Sequence, residues 1–90
     1  MKRSKLTIFM DILRLIQNEG GKAKPTRILY GANLSYTALK EYLDVLVNIG
    51  LIEKFTEKGH DFYKLTKKGY EFINKFREIK RLTEAFGLTV

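Results

Sequence analysis

The sequence predicts a mainly α fold, an α+β arrangement of order α-α-α-β-β-α, in which a helix-turn-helix precedes a β-hairpin and a C-terminal helix follows it. Three observations carry this prediction. Three stretches before Gly50 place apolar residues at helical spacing or behind strong start signals, two short strand-like runs flank a glycine-containing tip, and a long amphipathic stretch closes the chain.

The first helix is expected from about Lys5 to Asn18, because Leu6, Phe9, Ile12, Leu13 and Ile16 recur three and four residues apart. Ser4 suits its N-cap, and Gly20-Gly21 can take the left-handed backbone that ends a helix. Lys22-Ala23-Lys24 then reads as a polar loop, and Pro25 is at home in a first helical turn. A short second helix is expected over about Thr26 to Tyr30, stopped by Gly31. Ser35 caps a third, Tyr36 to Ile49, with Leu34 and Leu39 spaced as a hydrophobic staple. On that helix Leu39, Tyr42, Leu43, Leu46 and Val47 form the stripe expected to be buried. Leu51 to Phe55 and Asp61 to Leu65 are the expected strands, joined by a tip of Thr56 to His60 in which Gly59 can supply a positive φ. Thr66 caps the last helix, which runs to about Ala85 and stops at Gly87, with Leu65 and Tyr70 placed for another staple. The order is that of a winged helix. Residues 1–68 are expected to form the DNA-binding unit and residues 69–90 a dimerisation helix and short tail, within one structural domain.

Composition narrows the function classes. Ninety residues with 44% apolar content support one core without a metal or disulfide staple. The absence of cysteine excludes disulfides, thiolate zinc sites and thiol nucleophiles, and fits a reducing cytoplasm. No stretch approaches a signal h-region or a membrane span, so a soluble, cytoplasmic protein without a membrane partner is expected. The net charge of +7 points to a polyanionic partner. Its distribution sharpens this. Residues 1–24 carry six Lys/Arg against two acids and residues 51–69 carry five against three, whereas 25–50 is neutral. Charge is concentrated in the N-terminal arm and the hairpin.

A catalytic constellation is not found. His60 is the lone histidine and lies at the expected hairpin tip, and the carboxylates Asp11, Glu41, Asp44 and Asp61 show no metal-ligand spacing. Gly20-Gly21 lacks the Gly-Lys-Ser/Thr ending of a phosphate loop. The expectation is a protein that is not an enzyme, with no metal, no cofactor and no small-molecule substrate.

The helix-turn-helix carries a specified mechanism. A recognition helix fits the major groove of B-form DNA and reads base edges from its N-terminal residues. Those residues are Ser35, Tyr36, Thr37 and Lys40, of which Ser35 is foremost a cap. Thr26, Arg27 and Tyr30 stand close to the turn, and Arg27 at a helix start suits a phosphate better than the dipole, which favours cations at the other end. Lys67 and Lys68 share that misfit, with Gly69 beside them a poor helix former. Either an anion offsets the cost or both are simply solvated. The arm contributes Lys2, Arg3 and Lys5, and the hairpin Lys54, Lys58, His60 and Lys64. Phosphate contacts outnumber base-reading candidates, so affinity should exceed sequence specificity.

In the last helix Phe72, Phe76, Ile79, Thr83 and Phe86 step by four, three, four and three, with Leu82 alongside, as a short heptad seam. About eighteen residues span roughly 27 Å, against a radius of gyration of about 13 Å for so small a domain. The distal half is therefore expected to project and to pair with a second copy, giving a homodimer with two DNA-binding heads.

The run Thr26-Arg27-Ile28-Leu29-Tyr30-Gly31-Ala32-Asn33-Leu34-Ser35-Tyr36, with Tyr63-Lys64-Leu65-Thr66-Lys67-Lys68-Gly69 further on, resembles the small winged-helix DNA-binding proteins of archaea, of the Sulfolobus ten-kilodalton chromatin-associated type. The resemblance implies a dimer joined by an antiparallel coiled coil of C-terminal helices. It also implies binding of double-stranded DNA with little sequence preference, in nucleoid organisation or transcription control. The last helix here ends near Ala85, which is short for a long two-stranded rod. Two other readings stay open: a protein-interaction module that uses the fold without touching DNA, suggested by Glu41 and Asp44, and RNA binding.

Overall fold

The computed structural model describes residues 4–87. Along the chain lie α1 (Lys5–Asn18), β1 (Lys22–Ala23), α2 (Pro25–Gly31), α3 (Tyr36–Asn48), β2 (Ile52–Glu57), β3 (His60–Leu65) and α4 (Lys67–Ala85). The fold is a mainly α winged helix, four helices with an antiparallel sheet of order β1-β3-β2.

Helix α1 starts as its sequence dictates, the Ser4 hydroxyl accepting from Thr7 N–H at 3.1 Å. It ends in a Schellman arrangement, Gly20 N–H donating to Gln17 O and Gly21 N–H to Ile16 O. Ile12, Leu13 and Ile16 are fully buried, but Ile8 and Met10, off the expected stripe, are buried as well, while Leu6 is 41% exposed. The reason is that α1 touches α2, β1, β3 and α4 and is covered on more than one side.

Four expectations are corrected here. Lys22 and Ala23 are not a free loop; they pair with Lys64 and Tyr63 as a third strand. Two residues carry no readable period, and the pairing depends on a partner strand forty residues away. Gly31 is the last residue of α2 rather than the first beyond it, and the Leu15 side chain occupies the space a Cβ there would need. The left-handed residue that ends α2 is Asn33, at φ 53°. The hairpin tip is two residues, Lys58 at φ 52° and Gly59 at φ 78°, so Thr56, Glu57 and His60 belong to the strands. Positive φ at both central positions matches the right-handed twist of the flanking strands. On α3, Leu39, Leu43 and Leu46 are buried and Tyr42 packs edge-on against Phe9 at 5.2 Å, whereas Val47 is exposed rather than part of the stripe.

The end of α3, both roots of the hairpin and the start of α4 meet at one junction. Thr66 caps α4 by accepting from Gly69 N–H at 3.1 Å, and its hydroxyl donates to Gly50 O at 2.6 Å. Its backbone N–H donates to Leu51 O at 3.1 Å. Lys68 Nζ donates to Ile49 O at 2.7 Å, which sets a cation on the negative end of α3. Lys68 therefore has a structural partner that needs no outside anion. Gly69 is explained as well, since a Cβ there would collide with the Leu51 carbonyl oxygen. In an open helix Gly→Ala stabilises by about 1 kcal/mol. Gly69→Ala is expected instead to destabilise the fold by about 1–3 kcal/mol, because backbone cannot yield as a side chain can. Thermal unfolding followed by circular dichroism checks the sign, and a midpoint at or above wild type would contradict this packing.

Candidate nucleic-acid interface

Helix α3 and the hairpin enclose an open groove of about 260 Å³. Ser35 begins α3 by accepting from Ala38 N–H at 3.2 Å, which satisfies one of the free N–H groups of the first turn. Tyr36, Lys40 and Asp44, four residues apart, line the helix side. Lys54, Asp61 and Tyr63 line the hairpin side, and Leu39 and Leu43 form part of the floor. These three hairpin residues share a face because Lys54 pairs with Tyr63 and Thr56 with Asp61 in register, and side chains alternate along each strand. Tyr36 is 74% exposed at the mouth. Asp61 accepts from the Thr56 hydroxyl at 2.9 Å and lies 3.9 Å from Lys54 Nζ. Burial pushes the Tyr63 hydroxyl above its ordinary pKa; Lys54 opposes that shift while Asp44, Asp61 and Tyr36 add to it.

The structure separates the expected site residues into groups. Tyr36, Lys40 and Lys54 come together at the groove, with Ser35 as the cap before Tyr36, Thr37 exposed after it and Lys58 at the hairpin tip. Thr26, Arg27 and Tyr30 line a different pocket, against β1 and β3. Lys64 and His60 pair with Glu53 and Glu57 on the hairpin face turned away from the groove. Lys67 and Lys68 begin α4, by the far end of α3 from Ser35, about 20 Å away at 1.5 Å per residue. Lys5 opens α1 and is exposed; Lys2 and Arg3 lie outside the described residues.

Several of these cations hold a carboxylate of the same chain: Arg27–Glu19 at 3.2 Å, Lys54–Asp61 at 3.9 Å and Lys64–Glu53 at 3.5 Å, joined by Lys22–Glu57 at 3.2 Å. All are solvent-exposed pairs, each worth about 0–1 kcal/mol, so a phosphate can replace the carboxylate at small cost. Sequence reasoning missed Lys22, Lys24, Phe55, Phe62 and Tyr63 as site residues. Placing the two-residue turn at Lys58-Gly59 would have set Phe55 opposite Phe62 and Lys54 opposite Tyr63.

Among the described residues no group of three or more His, Asp or Glu is placed to hold a metal ion, and no helix is long and apolar enough to cross a membrane.

A helix-turn-helix whose second helix faces a β-hairpin across an open polar groove defines a winged helix-turn-helix protein. The chain belongs to the winged helix-turn-helix family, which it matches over residues 2–84. It is 38% identical over 78 residues to "Uncharacterized protein MJ0287" of Methanocaldococcus jannaschii, covering 87% of this chain and 77% of that protein. Identity to "Uncharacterized protein MJ0290" of the same organism is 33% over 82 residues, 91% of this chain but only 36% of the relative's length. Among solved structures it is similar to Sso10a-2, a DNA-binding protein from Sulfolobus solfataricus, with 32% identity, a TM-score of 0.78 and coverage of 93% of this chain and 85% of that one. The fold and the archaeal resemblance expected from the sequence are thus both found.

The groove has a measurable signature in Tyr63. Folding favours the neutral phenol, so its contribution to stability is complete below the unfolded pKa of about 10 and is lost as pH rises through the higher folded value. Urea unfolding at neutral pH and above pH ~10 is expected to show stability falling on the alkaline side. Tyr63→Phe should shrink that fall, and an identical alkaline loss in the variant would contradict the assignment.

Proposed function

We propose that this protein binds double-stranded DNA as a homodimer with low sequence specificity, in transcription regulation or chromatin organisation. The observation that carries the reading is the exposed start of α3, where Tyr36 and Lys40 face Lys54 across the groove with Lys58 at the hairpin tip beyond. Seated in a major groove, the N-terminal turn of α3 brings Tyr36, Thr37 and Lys40 to base edges and phosphates, while Lys54 and Lys58 meet the flanking backbone. Asp44 and Asp61 on the same walls repel phosphates laid too deep, which favours shallow backbone contact over base reading. Sso10a-2, described as a DNA-binding protein, has the same fold at 32% identity, which supports the assignment. The reading involves no catalysis, cofactor or membrane partner, and it places the protein in the cytoplasm with the nucleoid.

The dimer rests on α4. Phe72 and Phe76 pack against the core of their own chain, so the expected seam shortens to the distal residues. Ile79, Leu82 and Phe86 are 55, 60 and 75% exposed, and half-buried Thr83 lies among them. Full burial of these three apolar side chains from each of two copies is worth up to about 9–18 kcal/mol, comparable to the association cost of about 4–15 kcal/mol.

If three to five cations per protomer meet phosphates, log K should fall with log salt at a slope of about −3 to −4.5 per protomer. Tyr36→Ala/Lys40→Ala is expected to weaken a random duplex about tenfold or more and to flatten that slope by about one. Fluorescence anisotropy across salt concentrations checks both. An unaltered affinity, or absence of duplex binding at low salt beside a stable protein complex, would favour the protein-interaction module instead. For the dimer, Leu82→Glu is expected to halve the mass in light scattering with circular dichroism unchanged, whereas a wild-type monomer would refute it.

A further inference from the structure

The hairpin has a second face, and it is built differently from the groove. Phe55 and Phe62 oppose one another across β2 and β3 and stack with centroids 5.3 Å apart and planes 20° apart. Lys22 Nζ lies 5.9 and 5.4 Å from the Phe55 and Phe62 centroids, Lys64 Nζ 5.5 Å from Phe55 and Lys24 Nζ 5.9 Å from Phe62. The patch runs into an open pocket of about 470 Å³ walled by Lys22, Lys24, Arg27, Glu19, Tyr30 and Phe62. That volume lies in the range of small-ligand sites. Of the three cations there, Lys22 and Arg27 hold the exposed carboxylates of Glu57 and Glu19. Tyr30 is 79% exposed at the pocket, and its side chain makes no hydrogen bond or ring contact among the described residues. Lys24 forms no ion pair among them either.

A cationic path interleaved with open aromatic rings suits a strand whose bases are unpaired. The rings stack on any base, and the cations follow the phosphates. A duplex offers no free base face, so this chemistry differs from that of the groove. We propose that the outer hairpin face and the Tyr30 pocket form a second nucleic-acid site, which takes an unpaired nucleotide. Its base lies against Tyr30 and Phe62, and its phosphate is held by Lys24 with Lys22 and Arg27. Glu57 and Glu19, which pair with Lys22 and Arg27 in the free protein at 3.2 Å each, yield those cations to the phosphate. The Phe55–Phe62 stack with Lys64 extends the track beyond one nucleotide. The site stands on a different face from the duplex groove and does not depend on it.

The test uses the full chain and a labelled oligothymidylate single strand, followed by fluorescence anisotropy at low salt. Tyr30→Ala/Lys24→Gln changes two exposed side chains and is expected to weaken the strand about tenfold, while leaving random-duplex affinity within about twofold. Tyr36→Ala/Lys40→Ala should do the reverse, so loss of the duplex site and loss of this site are separable. Inorganic polyphosphate, an anion without bases, should displace the strand far less well than unlabelled oligothymidylate. Thymidine monophosphate distinguishes the sources. Quenching of tyrosine fluorescence that disappears in Tyr30→Ala, at nucleotide concentrations matching those of the strand, assigns the site to free nucleotides; quenching only at far higher concentration assigns it to single strands. The proposal is overturned if neither strand nor monophosphate binds, if polyphosphate competes as well as the strand, or if the Tyr30/Lys24 variant binds both as wild type does.

Discussion

The structure depends on one junction, where the chain leaves α3 at Gly50, enters the hairpin at Leu51, returns at Leu65 and starts α4 at Thr66. Four interactions close it: Thr66 to the Gly50 and Leu51 carbonyls, Lys68 to the Ile49 carbonyl, and Gly69 against the Leu51 backbone. These bonds satisfy the carbonyl of Ile49, at the C-cap of α3, and those of Gly50 and Leu51, which link the helix to the hairpin. They also set the hairpin's roots relative to the helix that faces it. The width of the groove between Lys40 and Lys54 is therefore governed from its far end, by residues that line none of it.

The electrostatics follow a consistent plan. The chain is strongly cationic, yet the hairpin is close to neutral on itself because Lys54, Lys64 and Lys22 each hold a neighbouring carboxylate. Exposed pairs of this kind add little stability. Each pair joins a lysine to a carboxylate on another strand, an anion that a phosphate can replace. A surface made this way attracts polyanions through net charge while limiting how tightly any one phosphate is held. That behaviour suits the duplex binding proposed above.

The two faces of the hairpin divide the chemistry between them. Strand alternation puts Lys54, Asp61 and Tyr63 toward α3 and Phe55, Phe62 and Lys64 away from it. The short strand β1 matters here beyond its two residues. By pairing with β3 it carries Lys22 onto the outer face beside the phenylalanines and brings α2, with Arg27 and Tyr30, to the edge of the same patch. Without β1 those side chains would have no reason to meet.

Most of the architecture was legible in the residues themselves. Apolar spacing in Ile12, Leu13 and Ile16, the caps at Ser4, Ser35 and Thr66, and the left-handed Gly59 specify helices and hairpin through interactions spanning a few positions, which a linear sequence displays directly. What failed were features decided by remote partners. Gly31 was read as a helix stop; it is the last residue of α2, and the reason it is glycine is that Leu15 fills the space of a side chain. Lys22-Ala23 is a strand because β3 is there to pair with it. Lys68, seemingly misplaced at a helix start, serves the end of another helix. The same limit applies to the interface: residue types and net charge marked out cations and an exposed recognition helix, but which cations share a face depends on strand register and on contacts between distant elements. Local sequence determines local geometry, and only the folded chain decides which side chains become neighbours.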